Sequence, residues 1–206
     1  MKRICFVVDS IFSIGGVQRV TAVIAKELAR TYDVTILTFD KPETEDTSLY
    51  GLHEANITYR FFHYPQVNGL KLKCYRAYSG IYRKLRPTAK WASDLYAYSS
   101  FPPELQNALA KKLNEDHYDV IVGVHAPLAA RLASLRKHLP EAKLIGWIHN
   151  SFEALFGDTS LYIGPDRQRH YVFQFRKLDE TILLCRHDID SYQAYAPNFH
   201  PVYIYN

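Results

Sequence analysis

The chain has 206 residues, enough for one large domain with a substantial core, and its 48% hydrophobic and 22% charged residues are those of a globular protein rather than a disordered one. Three scattered cysteines, Cys5, Cys74 and Cys185, exclude a disulfide framework or zinc site and read as buried thiols of a reducing compartment. The formal charge is +4, and the opening apolar run Ile4–Val8 is too short for a signal-peptide core or a membrane span, so the sequence predicts a cytoplasmic protein.

Short β-branched runs alternate with stretches of helical period along the chain. The runs are Ile4–Val8, Val34–Phe39, Ile57–Phe62, Val120–Val124, Leu144–Ile148, Ile182–Cys185 and Val202–Tyr205. Several are apolar throughout, as strands covered on both faces are. Between them Val17, Val20, Ile24 and Leu28 share one helical face, as do Leu105, Leu109 and Leu113. Leu128, Leu132, Leu135 and Leu139 form a third stripe, and Tyr171, Phe175 and Leu178 a fourth. Strand-then-helix repetition predicts right-handed βαβ units, and hence an α/β, Rossmann-like, doubly wound parallel sheet.

The first strand is followed by Asp9-Ser10-Ile11-Phe12-Ser13-Ile14-Gly15-Gly16-Val17-Gln18-Arg19. Two glycines there let backbone approach a ligand, and the following helix offers free N–H groups and a positive dipole end to phosphate. The dinucleotide fingerprint needs a third glycine, which is missing, so Asp40 at the end of the second strand reads as a solvated residue and not as a ribose ligand. His125 and His149 each follow directly on an apolar strand, at the end where doubly wound sheets bind ligands. Asn150 and Ser151 add polar groups beside His149. The other seven histidines lack that placement and read as surface residues. Asp188-Ile189-Asp190 has a metal-binding spelling, but its setting predicts the first turn of a helix, and no metal site is expected.

From Ala55 to Ser93 there is no Asp or Glu but eight basic residues, and the rest of the chain has 17 basic and 21 acidic residues. The positive charge is therefore local. A helix over Leu70–Leu85 places Leu70, Cys74, Ala77, Ile81 and Leu85 on one face, flanked by Lys73, Arg76, Arg83 and Lys84. That pattern suits an anionic membrane surface or a lipid-linked acceptor. Interleaved Tyr75, Tyr78, Tyr82 and Trp91 fit nucleic acid equally, but no nucleic-acid motif accompanies them, and no nucleic-acid partner is expected. A third alternative is a solvated helix packing on the core.

In order, the Gly15-Gly16-Val17-Gln18-Arg19 turn, Asp33–Thr38, Tyr118–His125, Ile145–Ser151 and the closing Pro201–Asn206 resemble glycosyltransferase family four, the retaining enzymes of the GT-B fold. The resemblance spans almost the whole chain and implies an N-terminal, acceptor-side domain over residues 1–206, with a C-terminal nucleotide-sugar domain beyond this chain. It implies that Gly15 and Gly16 lie under the donor diphosphate, that Gln18, His125, Asn150 and Ser151 bind the acceptor, and that His149 serves at the reaction centre. The donor is then a nucleotide sugar and the acceptor a glycan or lipid-linked glycan of the cell surface. No cofactor or metal is implied. From composition the location is cytoplasmic, and peripheral contact with the inner membrane face through residues 70–90 is one of the alternatives the basic stretch leaves open. The chain alone is expected to be inactive. A nucleotide-sugar epimerase of the same fold and a self-contained flavodoxin-like module are the alternatives. Residues 65–103 match no motif of the family.

Overall fold

A computed structural model describes residues 1–205; Asn206, the last residue of the closing motif, lies outside the described residues. Seven strands alternate with helices: β1 (Arg3–Val8), β2 (Asp33–Thr38), β3 (Ile57–Phe61), β4 (Val120–Val124), β5 (Lys143–Trp147), β6 (Glu180–Leu183) and β7 (Val202–Tyr203). All the pairings are parallel, in the order β3-β2-β1-β4-β5-β6-β7. The predicted α/β, Rossmann-like doubly wound sheet is thus the observed fold, each strand lying within two residues of its expected position.

The strands read as continuous apolar runs because successive side chains enter two different cores. Ile4, Phe6 and Val8 of β1 pack with Val34 and Ile36 of β2 and with the apolar side of α1 (Gly16–Leu28). Cys5 and Val7 face the opposite way, into a larger core. Five helices line that second core: α4 (Pro103–Asn114), α5 (Ala126–Ser134), α6 (Phe152–Phe156), α7 (Gln168–Phe175) and α8 (His187–Gln193). Cys5 is wholly buried, which pushes its thiol up to about 12, but Cys74 is exposed and Cys185 half-buried, so only the first is the buried thiol expected. The close fit of α5 depends on Gly123 in β4: a Cβ there would lie 3.0 Å from the Ala129 backbone.

Residues 65–103 form a helical hairpin, α2 (Gly69–Leu85) and α3 (Lys90–Ser100), which packs on α5 and α7 through α3. The helix expected over Leu70–Leu85 is therefore present, but its inward side is made by tyrosines. Tyr82 stacks on Tyr96 with ring centroids 4.4 Å apart, Tyr75 meets Tyr98 edge-on, and the Tyr78 hydroxyl donates to the Ala92 carbonyl. The apolar stripe Leu70–Leu85 faces solvent instead.

Six of the seven remaining histidines are on the surface as expected, and His170 is not. It lies on α7 beneath the hairpin, 4% exposed, with Nδ1 3.1 Å from the Ser93 hydroxyl and 3.2 Å from its carbonyl, and Tyr96 against its ring. Burial pushes its pKa down to about 3. The folded chain keeps His170 neutral, whereas the unfolded chain protonates it near pH 6.5. Stability from this residue is therefore present above pH 6.5 and lost as the pH falls towards 3. Between pH 6.5 and 4 the loss is on the order of 3 kcal/mol. Urea unfolding across that range should show a shallower pH slope in His170→Phe than in the parent chain, and equal slopes would contradict this assignment.

Candidate functional site

The site lies at the C-terminal ends of β1, β4 and β5, three neighbours in the sheet. Winding reverses between β1 and β4, and such a reversal opens a crevice above the strand ends. The residues after β1 and β5 stand two strand spacings apart, about 10 Å.

On the β1 side, the loop between Asp9 and Gly15 is held by side chains from elsewhere. The Ile11 and Phe12 N–H groups donate to Asp40 Oδ2 at 2.8 and 3.2 Å, and the Thr38 hydroxyl donates to the same oxygen at 2.8 Å. Burial works against charge on Asp40, but these donors prevail and keep its carboxyl below the usual range. Asp40 is thus neither the solvated residue expected from its position nor free to bind a ribose: it fastens the loop. Tyr50 holds the other end, its hydroxyl accepting from the Gly15 N–H at 2.7 Å and lying 3.1 Å from the Ser13 carbonyl. Both contacts are long-range in sequence, with no local signal to announce them.

The Gly15-Gly16 turn opens α1 without a side-chain cap, so the first-turn N–H groups and the positive end of the helix dipole face the crevice. A Cβ at Gly16 would meet no heavy atom within 4 Å, whereas Gly15 lies directly under Gln18, whose Oε1 would collide with a Cβ there. Gln18 is folded back on the loop, its Nε2 donating to the Ser13 hydroxyl at 3.2 Å. Arg19 is exposed, as expected.

On the far side, His125 and His149 come together with ring centroids 5.9 Å apart, and the Trp147 ring lies 4.3 Å from His149. His149 is 7% exposed, and neither ring nitrogen has a hydrogen-bond partner within the protein. Burial, with repulsion from His125 added, pushes its pKa down to about 4, so it is neutral at pH 7. His125 is also lowered by burial, partly offset by the Asp9 carboxylate. The Asn150 Oδ1 is likewise buried and unpartnered. Ser151 caps α6 (Phe152–Phe156), its hydroxyl accepting from the Ala154 N–H at 3.2 Å, so in this structure that hydroxyl serves the fold. Nine other buried polar atoms among the described residues also lack a partner, but only here do two adjacent residues at the strand ends carry three of them.

The backbone at His125 is strained. Its φ of 79° and ψ of 151° fall in a region that is essentially glycine's, yet it is fixed by N–H donation to the Trp147 carbonyl and by acceptance from the Ala129 N–H, each 2.9 Å. Asp188 and Asp190 lie in the first turn of α8, as expected, and among the described residues no three His, Cys, Asp or Glu are grouped as metal ligands.

A doubly wound domain with an uncapped Gly-Gly helix start and paired histidines at its switch point has its candidate site where α/β sheets of this kind bind ligands. A profile of Glycosyltransferase Family 4 matches residues 14–206, and the chain belongs to that family. Among solved structures it is similar to the apo form of the lipopolysaccharide outer core galactosyltransferase WaaB, with 12% identity and a TM-score of 0.50 over 94% of this chain and 42% of that one. It is also similar to the N-terminal domain of Candida albicans trehalose-6-phosphate phosphatase, at 17% identity and a TM-score of 0.45 over 95% of this chain and 42% of that one. At these identities the likeness to the galactosyltransferase shows the GT-B type of fold and nothing finer. The chain spans less than half the length of either structure. No curated protein matches it by sequence.

Strain at His125 gives the site a measurable signature. His125→Gly relieves the left-handed backbone and should raise the unfolding free energy by about 1 kcal/mol, the relief exceeding glycine's entropic cost. His125→Ala keeps the strain and should show no such gain. A urea-unfolding midpoint no higher in the glycine variant than in the alanine variant would contradict the strain.

Proposed function

We propose that the chain is the acceptor-side half of a retaining, nucleotide-sugar-dependent hexosyltransferase acting on a cell-surface glycan or a lipid-linked precursor in the cytoplasm. Supporting the reading most directly is His149, buried, neutral and unpartnered, across the switch-point crevice from the uncapped start of α1. Membership of the family favours transfer over the epimerase and the flavodoxin-like module.

In this reading a second, C-terminal domain holds most of the nucleotide sugar, and this domain closes the crevice from below. The N–H groups at Gly16 and in the first turn of α1 meet the donor diphosphate, where a positive dipole end counts most as charge develops on the leaving phosphate. The acceptor hydroxyl lies between Gln18 and the histidine pair. Its oxygen bonds to the anomeric carbon as the bond from that carbon to the phosphate oxygen breaks, and its proton passes to the departing phosphate. No cofactor takes part.

His149 positions rather than ionises. With a pKa of about 4 it carries no charge at pH 7, so it donates one N–H and accepts at the other nitrogen, which fits sugar hydroxyls. His125 and Asn150 complete the polar wall, and Gln18 must swing off Ser13 to reach the acceptor. Trp147 and the surrounding core exclude water, which strengthens each of these contacts.

In the enzyme that joins this chain to its nucleotide-sugar domain, His149→Ala should lower kcat/KM about a hundredfold while the fold survives. Steady-state transfer kinetics alongside circular dichroism check it. Activity within a factor of two of the parent enzyme would remove His149 from the reaction centre.

A further inference from the structure

We propose that the outward side of the α2–α3 hairpin is a docking surface for an anionic phospholipid bilayer. The inference goes beyond the transferase reading and does not rest on it, because it uses residues remote from the crevice.

The hairpin carries two exposed apolar stripes. On α2 Leu70, Ile81 and Leu85 are 74%, 54% and 70% exposed, with Cys74 on the same side. On α3 Trp91, Leu95 and Tyr98 recur at i, i+4 and i+7 and are 69%, 43% and 46% exposed. The positions turned inward on α3 are Ala92, Ser93, Tyr96 and Ala97, against α2, α5 and α7. On α2 they are Tyr75, Tyr78 and Tyr82, against α3. With helical periodicity in an antiparallel pair, this leaves both stripes on the side away from the sheet. Single exposed apolar residues are ordinary, but six large ones gathered on one hairpin mark an interaction surface.

Charge selects the partner. Residues 69–100 contain seven basic residues and a single carboxylate, Asp94, so α2 itself is free of acids. Lys71, Arg83 and Lys90 pair with Glu104, Asp166 and Asp94 at 3.0, 2.5 and 2.8 Å. Lys73, Arg76, Lys84 and Arg86 are exposed and, among the described residues, meet no carboxylate within 4.0 Å. Aliphatic and indole side chains flanked by free cations are what an interfacial amphipathic surface presents, with the apolar stripe at the acyl boundary and the cations among lipid phosphates. Single-stranded nucleic acid would need a run of exposed aromatic platforms, yet Tyr75, Tyr78 and Tyr82 are spent on packing within the hairpin and Tyr98 meets Tyr75, which leaves Trp91 as the one ring of α2 and α3 that is more than half exposed. A second copy of the chain would set the same positive surface against itself.

The test uses the full chain with vesicles of phosphatidylcholine alone or with about a third phosphatidylglycerol, at about 0.05 and 0.5 M NaCl. Co-sedimentation should occur with the anionic vesicles only and fall at least about tenfold at the higher salt. Replacing Lys73, Arg76, Lys84 and Arg86 by Gln should lower partitioning by about a hundredfold or more. Tryptophan fluorescence should shift to the blue on binding, and the shift should disappear in Trp91→Phe, since Trp147 is only 6% exposed already. Leu85→Ser with Ile81→Ser should weaken binding without changing the circular dichroism. Equal recovery from both vesicle types, or recovery from neither, would overturn the proposal. So would a blue shift that survives in Trp91→Phe, preferential binding of single-stranded RNA, or self-association that buries Trp91 without lipid.

Discussion

β1 pairs in parallel with β2 on one side and with β4 on the other, Ile4 to Val7 being shared by both ladders. The helices that follow these strands then leave in opposite directions, and the loops at their C-terminal ends part. That parting opens a crevice above an otherwise closed sheet. Its rim is prepared on both sides: Asp40 and Tyr50 pin the Gly15 loop, and the backbone bond from His125 to Trp147 pins the other wall.

Desolvation gives the crevice its chemical character. His149 lies against Trp147 and beside His125, where a charge would be poorly solvated and repelled, so the ring stays neutral while its two nitrogens stay unpaired. A neutral, buried imidazole suits the recognition of hydroxyl groups, whereas a charged one would attract phosphate. In the proposed function the two needs are thereby divided, with the dipole end of α1 assigned to the anionic group and the histidine wall to the sugar.

Much of the fold is legible in the sequence because parallel strands buried on both faces need apolar residues at every position, as Ile4–Val8 and Val120–Val124 show. The positions of Gly15, Gly16, His125 and His149 are legible for the same reason, since each is placed by a recognisable strand before it. What is not legible depends on contacts distant in sequence. The role of Asp40 needs Ile11 across 29 residues, and the burial of His170 needs Ser93 across 77. Which of the alternatives for α2 holds is not legible either, because its inward face is made by tyrosines packed against α3, a choice that depends on Tyr96 and Tyr98 in a helix with no family motif. The strained φ of His125 has no composition signal, because histidine there contradicts local preference.

The central claim is that donor diphosphate and acceptor meet across this crevice. Backbone and imidazole NMR of the chain during titration with UDP- and GDP-sugars to millimolar concentration tests it most directly. The account predicts weak, fast-exchange binding that shifts the amides of Gly15 to Gln18 first and the His125 and His149 rings with them, while the α2–α3 hairpin is unmoved. Shifts confined to any other surface, or a sub-micromolar complex in which the Gly15–Gln18 amides do not respond, would contradict it.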